Sequence, residues 1–498
     1  MPTFPRPETT IPYRVADLAD LVPAAQDRTL AVTGVSLAAD AVEPGDLFAA
    51  LPGTRRHGAE FADLAAERGA VAVLTDARGA ELVGDLLPVL VAEDPRTLTG
   101  AVAARVWGRP SEHLNLIGIT GTNGKTSTAY LVEAALAHAG RTTGIIGTVE
   151  TRIAGDRVDS ERTTPEAPEL QALLATALER GVTDVVMEVS SHALVLGRVE
   201  GCRFKAAGFT MFGTDHLDFH ADLDDYFAAK ARLFDGRAET EVLNADDPRV
   251  ATLADGVNRT FSLLDPTADY YAHDLAGDGF TQTFQLSGPR GKGEGRVDMP
   301  GRHNVANAAL AVALLEAVGL DTETALDGVA SCTGVPGRME LVSGDAPVRG
   351  VVDYAHKPEA ITAVLDALKE STPGRVIAVL GAGGDRDRSK RPLMGAAASR
   401  ADLVIVTDDN PRTEDPARIR DEVALAVQGV PCRNIPGREA AVREAAALAA
   451  PGDTVALLGK GHETYTETAE GPVASDDRVL LARALRDAGW VTPARNDA

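Results

Sequence analysis

The sequence predicts an α/β fold in which helices cover both faces of parallel sheets. Continuously apolar runs such as LNLIGIT at 114–120 alternate with helical stretches such as TSTAYLVEAALAHAG at 126–140. Apolar runs of this kind are typical of strands buried on both sides, and strand–helix alternation indicates parallel pairing. The chain has 498 residues, so at about 150 residues per domain we expect about three domains.

The elements follow in three groups. Residues 30–107 alternate the apolar runs AVTGV, DLFAAL, AVAVLT and LPVLVA with Ala-rich stretches, which predicts a small α/β unit. The second group has the strands LNLIGIT, RTTGIIGTV, VTDVVMEVS and FKAAGFTMF, and residues 281–300 predict a β-hairpin. After the turn-rich segment 332–341, RVIAVLGAG, ADLVIVTDD and DTVALLGKG repeat the α/β alternation. Each group is expected to form one domain.

Composition excludes several classes of protein. The net charge is −24, from 49 basic and 73 acidic residues, which argues against nucleic-acid binding because phosphates would be repelled. The three cysteines are far apart, so neither a disulfide framework nor a cysteine metal site is expected. The N-terminus lacks an apolar signal region, and no apolar run approaches the ~20 residues that span a bilayer. We therefore expect a cytoplasmic protein without membrane insertion.

The segment GTNGKTS, residues 121–127, joins a predicted strand to a predicted helix. Backbone N–H groups in such a loop can bind phosphate oxygens, Lys125 can reach the β- and γ-phosphates, and Thr126 can bind Mg²⁺. Ile119 stands where the common phosphate-loop pattern has its first glycine, so the loop is a shortened variant. The alternative is a simple glycine turn with a solvated lysine.

Polar residues also follow the next strands. Glu188 ends VTDVVMEV, and His216 follows FKAAGFTMF, so both are expected at the sheet edge that carries the loop. A carboxylate and an imidazole beside a triphosphate suggest a second divalent-metal site. Lys230 shares a helical apolar stripe with Leu223, Phe227 and Phe234. Either its ammonium reaches solvent, or it faces the active site and is modified.

Three strand ends of the last group carry Arg386, the run Asp409–Arg412 and the segment 459–463. Arginine can hold a carboxylate and carboxylates can hold an ammonium, so this edge could bind a zwitterion. The segment GAGGDR also has two glycines of a dinucleotide-binding pattern. Arg386 replaces the third glycine, which disfavours NAD binding.

The ordered motifs GTNGKTS, MEVSSHAL, DHLDFH, YFAAKARLF, GRHNVANAAL, GAGGDRDRSKRP, DDNPRTE and GKGHETY resemble the Mur ligase family over residues 33–480. The resemblance implies three domains: a uridine-binding α/β domain at 1–109, a central phosphate-loop ATPase domain at 110–337 and a Rossmann-like amino-acid-binding domain at 338–498. It also implies a monomer whose partners are small molecules.

The implied reaction adds diaminopimelate to UDP-MurNAc-L-Ala-D-Glu. ATP would phosphorylate the γ-carboxylate of D-glutamate, the amine would attack the acyl phosphate, and ADP and phosphate would leave. The resemblance implies ATP and Mg²⁺ as cofactors and a carbamylated Lys230. Other possibilities are LL-diaminopimelate or L-lysine as acceptor, a folate polyglutamate ligase, and a non-catalytic nucleotide-binding homologue. Thr126 followed by Ser127 disfavours the folate reading, because those enzymes usually carry Gly-Ser there.

The resemblance also implies site residues. The implied catalytic residues are Lys125, Glu188, His216 and Lys230. The implied ATP-binding residues are Gly121, Thr122, Asn123, Gly124, Lys125, Thr126, Ser127, Asn304, Arg338 and Asp353. Mg²⁺ would be served by Thr126, Glu188, His216 and Lys230. The UDP-linked substrate would be held by Ser36, Thr163, Thr164, Ser190 and Arg198. Diaminopimelate would be held by Arg386, Asp409, Asn410, Pro411, Arg412, Gly459 and Glu463, with Arg412 on the distal carboxylate.

Overall fold

The computed structural model describes residues 4–22, 24–25, 29–160, 162–278, 280–344 and 346–491. The chain forms two compact units. The first extends to His273 and includes Gln285–Gly295 and Ala306–Ser331. The second comprises Asp274–Phe284, Arg296–Val305 and the chain from Cys332 onward. The predicted boundaries at 109/110 and 337/338 stay predictions.

The N-terminal part of the first unit contains a five-stranded sheet, counted over the described residues. Its strands lie in the order Ala24–Ala25, Val89–Val91, Ala72–Thr75, Asp46–Ala49 and Gly34–Ser36. All pairs are parallel except the one made by Ala24–Ala25. The accompanying helices are Ala62–Glu67, Ala77–Val83 and Pro95–Val106. A two-stranded sheet pairs Tyr13–Arg14 with Ala31–Val32.

A second sheet has eleven strands within the described residues. Their order is Asp156–Val158, Thr151–Ile153, Thr143–Ile146, Asp184–Glu188, Asn115–Thr120, Phe204–Phe209, Ala238–Asn244, Arg259–Ser262, Tyr270–Asp278, Thr281–Gly288 and Gly291–Val297. Pairing is parallel from Thr143–Ile146 through Tyr270–Asp278. The last two strands confirm the predicted hairpin. The helices of this region are Lys125–His138, Ala167–Glu179, Ser191–Val195, Leu223–Ala231, Arg302–Ala317 and Thr322–Ala330.

The second unit holds a six-stranded sheet, again counted over the described residues. Its order is Glu340–Leu341, Arg349–Asp353, Thr454–Leu458, Val376–Leu380, Leu403–Val406 and Cys432–Asn434. The helices are Pro358–Ser371, Lys390–Ala398, Pro416–Ala424, Arg438–Leu448 and Asp477–Asp487, and a small hairpin pairs Tyr465–Thr468 with Gly471–Ala474. Short 3₁₀ turns elsewhere in the chain are Val15–Leu18, Ala39–Ala41, Gly58–Phe61, Pro110–Glu112, Arg232–Phe234 and Val250–Leu253.

The predicted α/β fold is confirmed, and the strands show why the sequence revealed it. In the strand Val376–Leu380, Ala378 and Leu380 belong to one buried cluster, whereas Ile377 and Val379 belong to another. Both faces of the sheet are therefore covered, which requires an apolar residue at every position. Among the described helices, none combines the length and apolar composition needed to cross a membrane.

Candidate functional site

The loop after the strand Asn115–Thr120 turns on two glycines. Gly121 has φ +143° and Gly124 has φ +89°. A Cβ atom added to Gly121 would lie 1.8 Å from the Thr210 hydroxyl oxygen. A Cβ atom added to Gly124 would lie 2.5 Å from the Asn307 side-chain oxygen. Both positions therefore require glycine. The loop leads into the 14-residue helix that begins at Lys125, where a helix N-terminus favours anions.

The side chains of the loop are tied to its own backbone and to neighbouring segments. Lys125 donates from Nζ to the carbonyl oxygens of Gly121 at 2.8 Å and Thr122 at 3.0 Å. The Thr122 hydroxyl accepts a bond from the Gly213 N–H at 3.0 Å. The exposed Asn123 accepts a bond from the Thr210 hydroxyl on its carbonyl oxygen, at 2.6 Å. The half-buried Ser127 lies in the first turn of the helix.

Strand register brings Glu188 to this loop. Glu188 ends its strand and pairs with Ile119, which lies two residues before Gly121, the first residue of the loop. The buried carboxylate accepts a bond from the Thr126 hydroxyl at 3.0 Å. Thr148 also donates to it, from its N–H at 2.8 Å and its hydroxyl at 3.2 Å. Hydroxyl and carboxylate oxygens are the donors that Mg²⁺ prefers, so Thr126 and Glu188 have the right chemistry to hold it.

Lys230 faces the loop. Its side chain is 1% exposed, which makes the solvent-reaching interpretation wrong. Nζ donates to the Gly121 carbonyl oxygen at 2.8 Å and lies 4.7 Å from the ring centre of Tyr226. Lys125 donates to the same carbonyl oxygen. Two lysine ammonium groups therefore converge on one acceptor at the loop.

His216 belongs to an aromatic cluster beside this lysine. Its ring lies 4.8 Å from that of His192 and 5.9 Å from that of Tyr226, and Nε2 lies 3.4 Å from an Asp215 carboxylate oxygen. In the part of the chain that the structure describes, His, Cys, Asp and Glu side chains nowhere gather in a group of three suited to a metal. The joint role of the four predicted Mg²⁺ residues stays a prediction.

Two predicted substrate residues form a short chain of bonds behind Glu188. The Thr164 hydroxyl donates to the Glu188 carbonyl oxygen at 2.8 Å, and the Ser190 N–H donates to the Thr164 hydroxyl oxygen at 3.2 Å. Thr163 is linked to the Glu188 carboxylate through Thr148. The Thr163 hydroxyl lies 3.0 Å from the Thr148 hydroxyl, which itself contacts that carboxylate. The structure thus joins Thr163, Thr164 and Ser190 to the end of the Glu188 strand.

Arg198 and Ser36 complete the predicted substrate set. Arg198 donates to the Thr164 carbonyl oxygen at 3.3 Å and pairs with Glu166 at 2.9 Å. Its Nε is buried and has no hydrogen-bond partner in the described residues. Burial lowers the pKa of Arg198, against the opposing effect of Glu166. Ser36, which is also buried, ends the strand Gly34–Ser36 and donates to the Ala38 carbonyl oxygen at 2.9 Å.

Three predicted ATP-binding residues belong to the second unit. The buried Asn304 donates to the Pro300 carbonyl oxygen at 2.9 Å. The Asp353 carboxylate accepts 2.7 Å bonds from two backbone N–H groups, and burial raises its pKa. The Arg338 guanidinium stacks 4.4 Å from the ring centre of Tyr354.

The predicted amino-acid residues lie along one edge of the six-stranded sheet. Leu380 is in register with Val406 and Leu458, so the loops that follow these three strands meet. A Cβ atom at Gly459 would lie 2.8 Å from an Asp409 carboxylate oxygen, and a Cβ atom at Gly384 would lie 1.9 Å from the Pro411 carbonyl oxygen. This close packing explains the glycines.

Side-chain bonds connect the same loops. Asn410 donates from Nδ2 to Glu463 Oε2 at 2.9 Å. Burial raises the pKa of Glu463. Arg412 donates from Nη1 to the Gly384 carbonyl oxygen at 2.8 Å, and its Nε lies 2.5 Å from Glu467 Oε2. Arg386 is exposed. The structure thus places both acidic and basic groups at this edge.

Sequence reasoning missed two residues of these sites. Thr148 contacts the Glu188 carboxylate through two donors. It lies near the end of the predicted strand RTTGIIGTV and two residues after the observed strand Thr143–Ile146, and that position at a strand end was a usable signal. Lys460 is fully buried between the Asn410 and Glu463 side chains. Its place inside the glycine-rich GKG segment gave no sequence signal of burial.

Three family models match consecutive parts of the chain. Residues 31–107 match "Mur ligase family, catalytic domain", residues 119–315 match "Mur ligase middle domain", and residues 337–461 match "Mur ligase, glutamate ligase domain". Together the three matches extend from residue 31 to residue 461.

Full-length relatives and a solved structure are also similar. A protein from Streptomyces avermitilis named UDP-N-acetylmuramoyl-L-alanyl-D-glutamate--2,6-diaminopimelate ligase is 47% identical, covering 97% of this chain and 99% of that protein. A protein of the same name from Corynebacterium glutamicum is 46% identical, covering 94% of each. A solved structure of a protein with this name has a TM-score of 0.72 and 33% identity, covering 97% of this chain and 100% of that chain.

Proposed function

Because the chain belongs to the Mur ligase family, we propose that it is an ATP-dependent amide ligase that adds diaminopimelate to the D-glutamate γ-carboxylate of UDP-MurNAc-L-Ala-D-Glu. The products would be ADP, phosphate and the extended UDP-linked peptide, a precursor of peptidoglycan made in the cytoplasm. The observation that carries this proposal is sequence identity of 47% and 46%, over 97% and 94% of this chain, to relatives whose names state both substrates.

The loop geometry supports the first chemical step. A carboxylate is a poor electrophile, so amide formation needs a phosphate leaving group. The Gly121–Ser127 backbone at a helix N-terminus would hold the ATP phosphates. Lys125 would exchange its bonds to the Gly121 and Thr122 carbonyl oxygens for bonds to phosphate. Mg²⁺ held by Thr126 and Glu188 would neutralise charge on the phosphates. His216 would serve a second ion.

Lys230 is proposed to carry a carbamate. Nζ of the buried Lys230 and Nζ of Lys125 donate to the same carbonyl oxygen, that of Gly121. Two positive charges are therefore close together, which is unfavourable. The Lys230 ammonium would first lose a proton. The neutral amine would then attack carbon dioxide, forming an N–C bond as one C–O π bond breaks, and would lose a second proton, so that a cation becomes a carboxylate-like anion. That anion would pair with Lys125 and could also serve a metal ion.

The substrate-binding residues have matching chemistry. Thr163, Thr164, Ser190 and Arg198 would hold the dipeptide end of the UDP-linked substrate near the loop, and Ser36 would contact its uridine end. Asn304, Arg338 and Asp353 would contact the nucleotide of ATP. Asp409, Pro411 and Gly459 would shape the pocket for diaminopimelate. Asn410 and Glu463 would bind its amino-acid group, and Arg386 and Arg412 its carboxylates.

Phosphate release with different acceptors tests the proposal. With ATP, Mg²⁺, bicarbonate and UDP-MurNAc-L-Ala-D-Glu present, we expect release that depends on meso-diaminopimelate. Release with only LL-diaminopimelate would correct the stereochemistry, and release with only L-lysine would contradict the role of Arg412. Folded protein that releases no phosphate with any of the three amines would contradict the ligase proposal.

Replacing Arg412 by lysine is expected to raise the KM for diaminopimelate by about 10- to 100-fold. Lysine retains the charge but loses the planar fork that can bind a carboxylate through two N–H groups. The KM values for ATP and the UDP-linked substrate should not change. Steady-state phosphate release measures all three.

Arg418→Lys is the matched control, because Arg418 is an exposed arginine of the neighbouring helix paired with Glu422. An unchanged diaminopimelate KM in Arg412→Lys would remove Arg412 from the acceptor site.

A further inference from the structure

Lys460 is a lysine buried at the edge of the six-stranded sheet where the strand Thr454–Leu458 ends. Its side chain is 0% exposed. Nζ lies 3.3 Å from Asn410 Oδ1, 3.3 Å from Glu463 Oε2 and 2.5 Å from the Tyr465 carbonyl oxygen. A lysine is rarely buried completely unless its charge is paired and its N–H groups are bonded, and here three acceptors meet that need.

These contacts fix the orientation of the Asn410 amide. Oδ1 accepts bonds from Lys460 and from the Glu467 N–H, the latter at 2.9 Å. Nδ2 donates to Glu463 Oε2 at 2.9 Å. If the amide were rotated, its NH₂ group would face the Lys460 ammonium and the Glu467 N–H, which are both donors. Lys460 therefore favours the orientation in which Oδ1 faces these donors.

The same contacts orient Glu463. Its Oε2 receives both Asn410 Nδ2 and Lys460 Nζ. Within the described residues, both side-chain hydrogen bonds to Glu463 use Oε2, and Oε1 accepts none from a side chain. Asn410 Nδ2 uses one of its two N–H groups in the bond to Glu463, and its other N–H group has no side-chain acceptor there. One anionic oxygen and one N–H donor therefore remain available, which suits the ammonium and carboxylate of an amino acid.

We propose that Lys460 is a positioning residue of the acceptor site, which holds Asn410 and Glu463 in the orientation that binds the amino-acid group of diaminopimelate. The inference rests on the proposed function. Lys460 acts through these two side chains and does not itself touch the acceptor. Burial raises the pKa of the Glu463 carboxyl, and the contacts with Asn410 and Lys460 oppose that rise.

The test is Lys460→Met, which keeps the apolar stem and removes the ammonium group. We expect the diaminopimelate KM to rise at least about 30-fold, because Glu463 loses its buried cation. Positional isotope exchange in oxygen-labelled ATP, run with the UDP-linked substrate and without diaminopimelate, reports acyl phosphate formation. That exchange and the KM for ATP should stay within about threefold of the wild-type values.

The outcomes separate the two proposals. Absence of exchange in the wild-type protein would overturn the proposed function. A diaminopimelate KM that does not change in Lys460→Met, or loss of exchange together with acceptor binding, would overturn the role of Lys460. Lys460→Gln, which retains N–H donors, replaces the Met variant if that variant unfolds. Lys369→Met is the matched control, since Lys369 is an exposed lysine of the same unit paired with Asp402.

Discussion

Lys125→Ala is expected to lower acceptor-dependent phosphate release by about 100- to 1,000-fold, the usual cost of removing a group that stabilises transition-state charge. Lys125 begins the helix that follows the loop, and its ammonium lies within 3.0 Å of two loop carbonyl oxygens. From there it can reach phosphate oxygens that bind the loop N–H groups. Phosphate release with saturating substrates measures the loss, and isotope exchange in ATP should fall with it.

Two comparisons make this prediction specific. Lys205→Ala, at an exposed lysine paired with Glu239 in the same unit, should leave both rates unchanged. Lys460→Met should retain isotope exchange, because it alters only acceptor binding. If Lys125→Ala kept a rate within threefold of wild type, Lys125 would have no part in phosphoryl transfer, and the loop would need another role.

The sequence predicted the position of the glycine loop at residues 121–127, between a strand and a helix, because local rules govern that position. A glycine loop between an apolar strand and a helix leaves few alternatives, and the parallel pairing of the strands brought Glu188 level with Ile119 beside that loop. The same rule placed the three C-terminal loops at one edge. The loops that meet at the carboxyl edge of a parallel sheet can thus be predicted from the apolar runs that precede them.

Contacts that depend on side-chain direction were harder to predict. The helical stripe of Lys230 was expected to include Leu223, but Leu223 is 39% exposed. The helix ends at Ala231 and a 3₁₀ turn, Arg232–Phe234, follows, so one helical period does not hold over the whole segment. The burial of Lys460 depends on Glu463 and Tyr465 in its own segment and on Asn410, which lies 50 residues earlier in the chain. No periodicity in one segment can reveal that long-range contact.

Lys230→Met and Lys230→Arg are both expected to lower phosphate release by at least about 100-fold. The reason is that neither side chain can form a carbamate. Met preserves the volume of the buried stem, whereas Arg preserves the positive charge. If the active form of Lys230 is an anion, the positive charge of Lys230→Arg should not restore the rate. The wild-type rate should in addition fall in carbon-dioxide-depleted buffer and return when bicarbonate is added.

The two variants separate packing from charge. Lys230 is 1% exposed and its Nζ bonds to Gly121, so thermal unfolding of each variant shows whether the fold is retained. A Lys230→Arg protein that kept a third or more of the wild-type rate would show that a cation suffices, and the carbamate would be wrong. Carbon-13 bicarbonate NMR gives an independent measurement, because a carbamate signal should be present in the wild type and absent from both variants. Loss of rate in both variants without that wild-type signal would instead identify Lys230 as a catalytic ammonium group whose geometry arginine cannot reproduce.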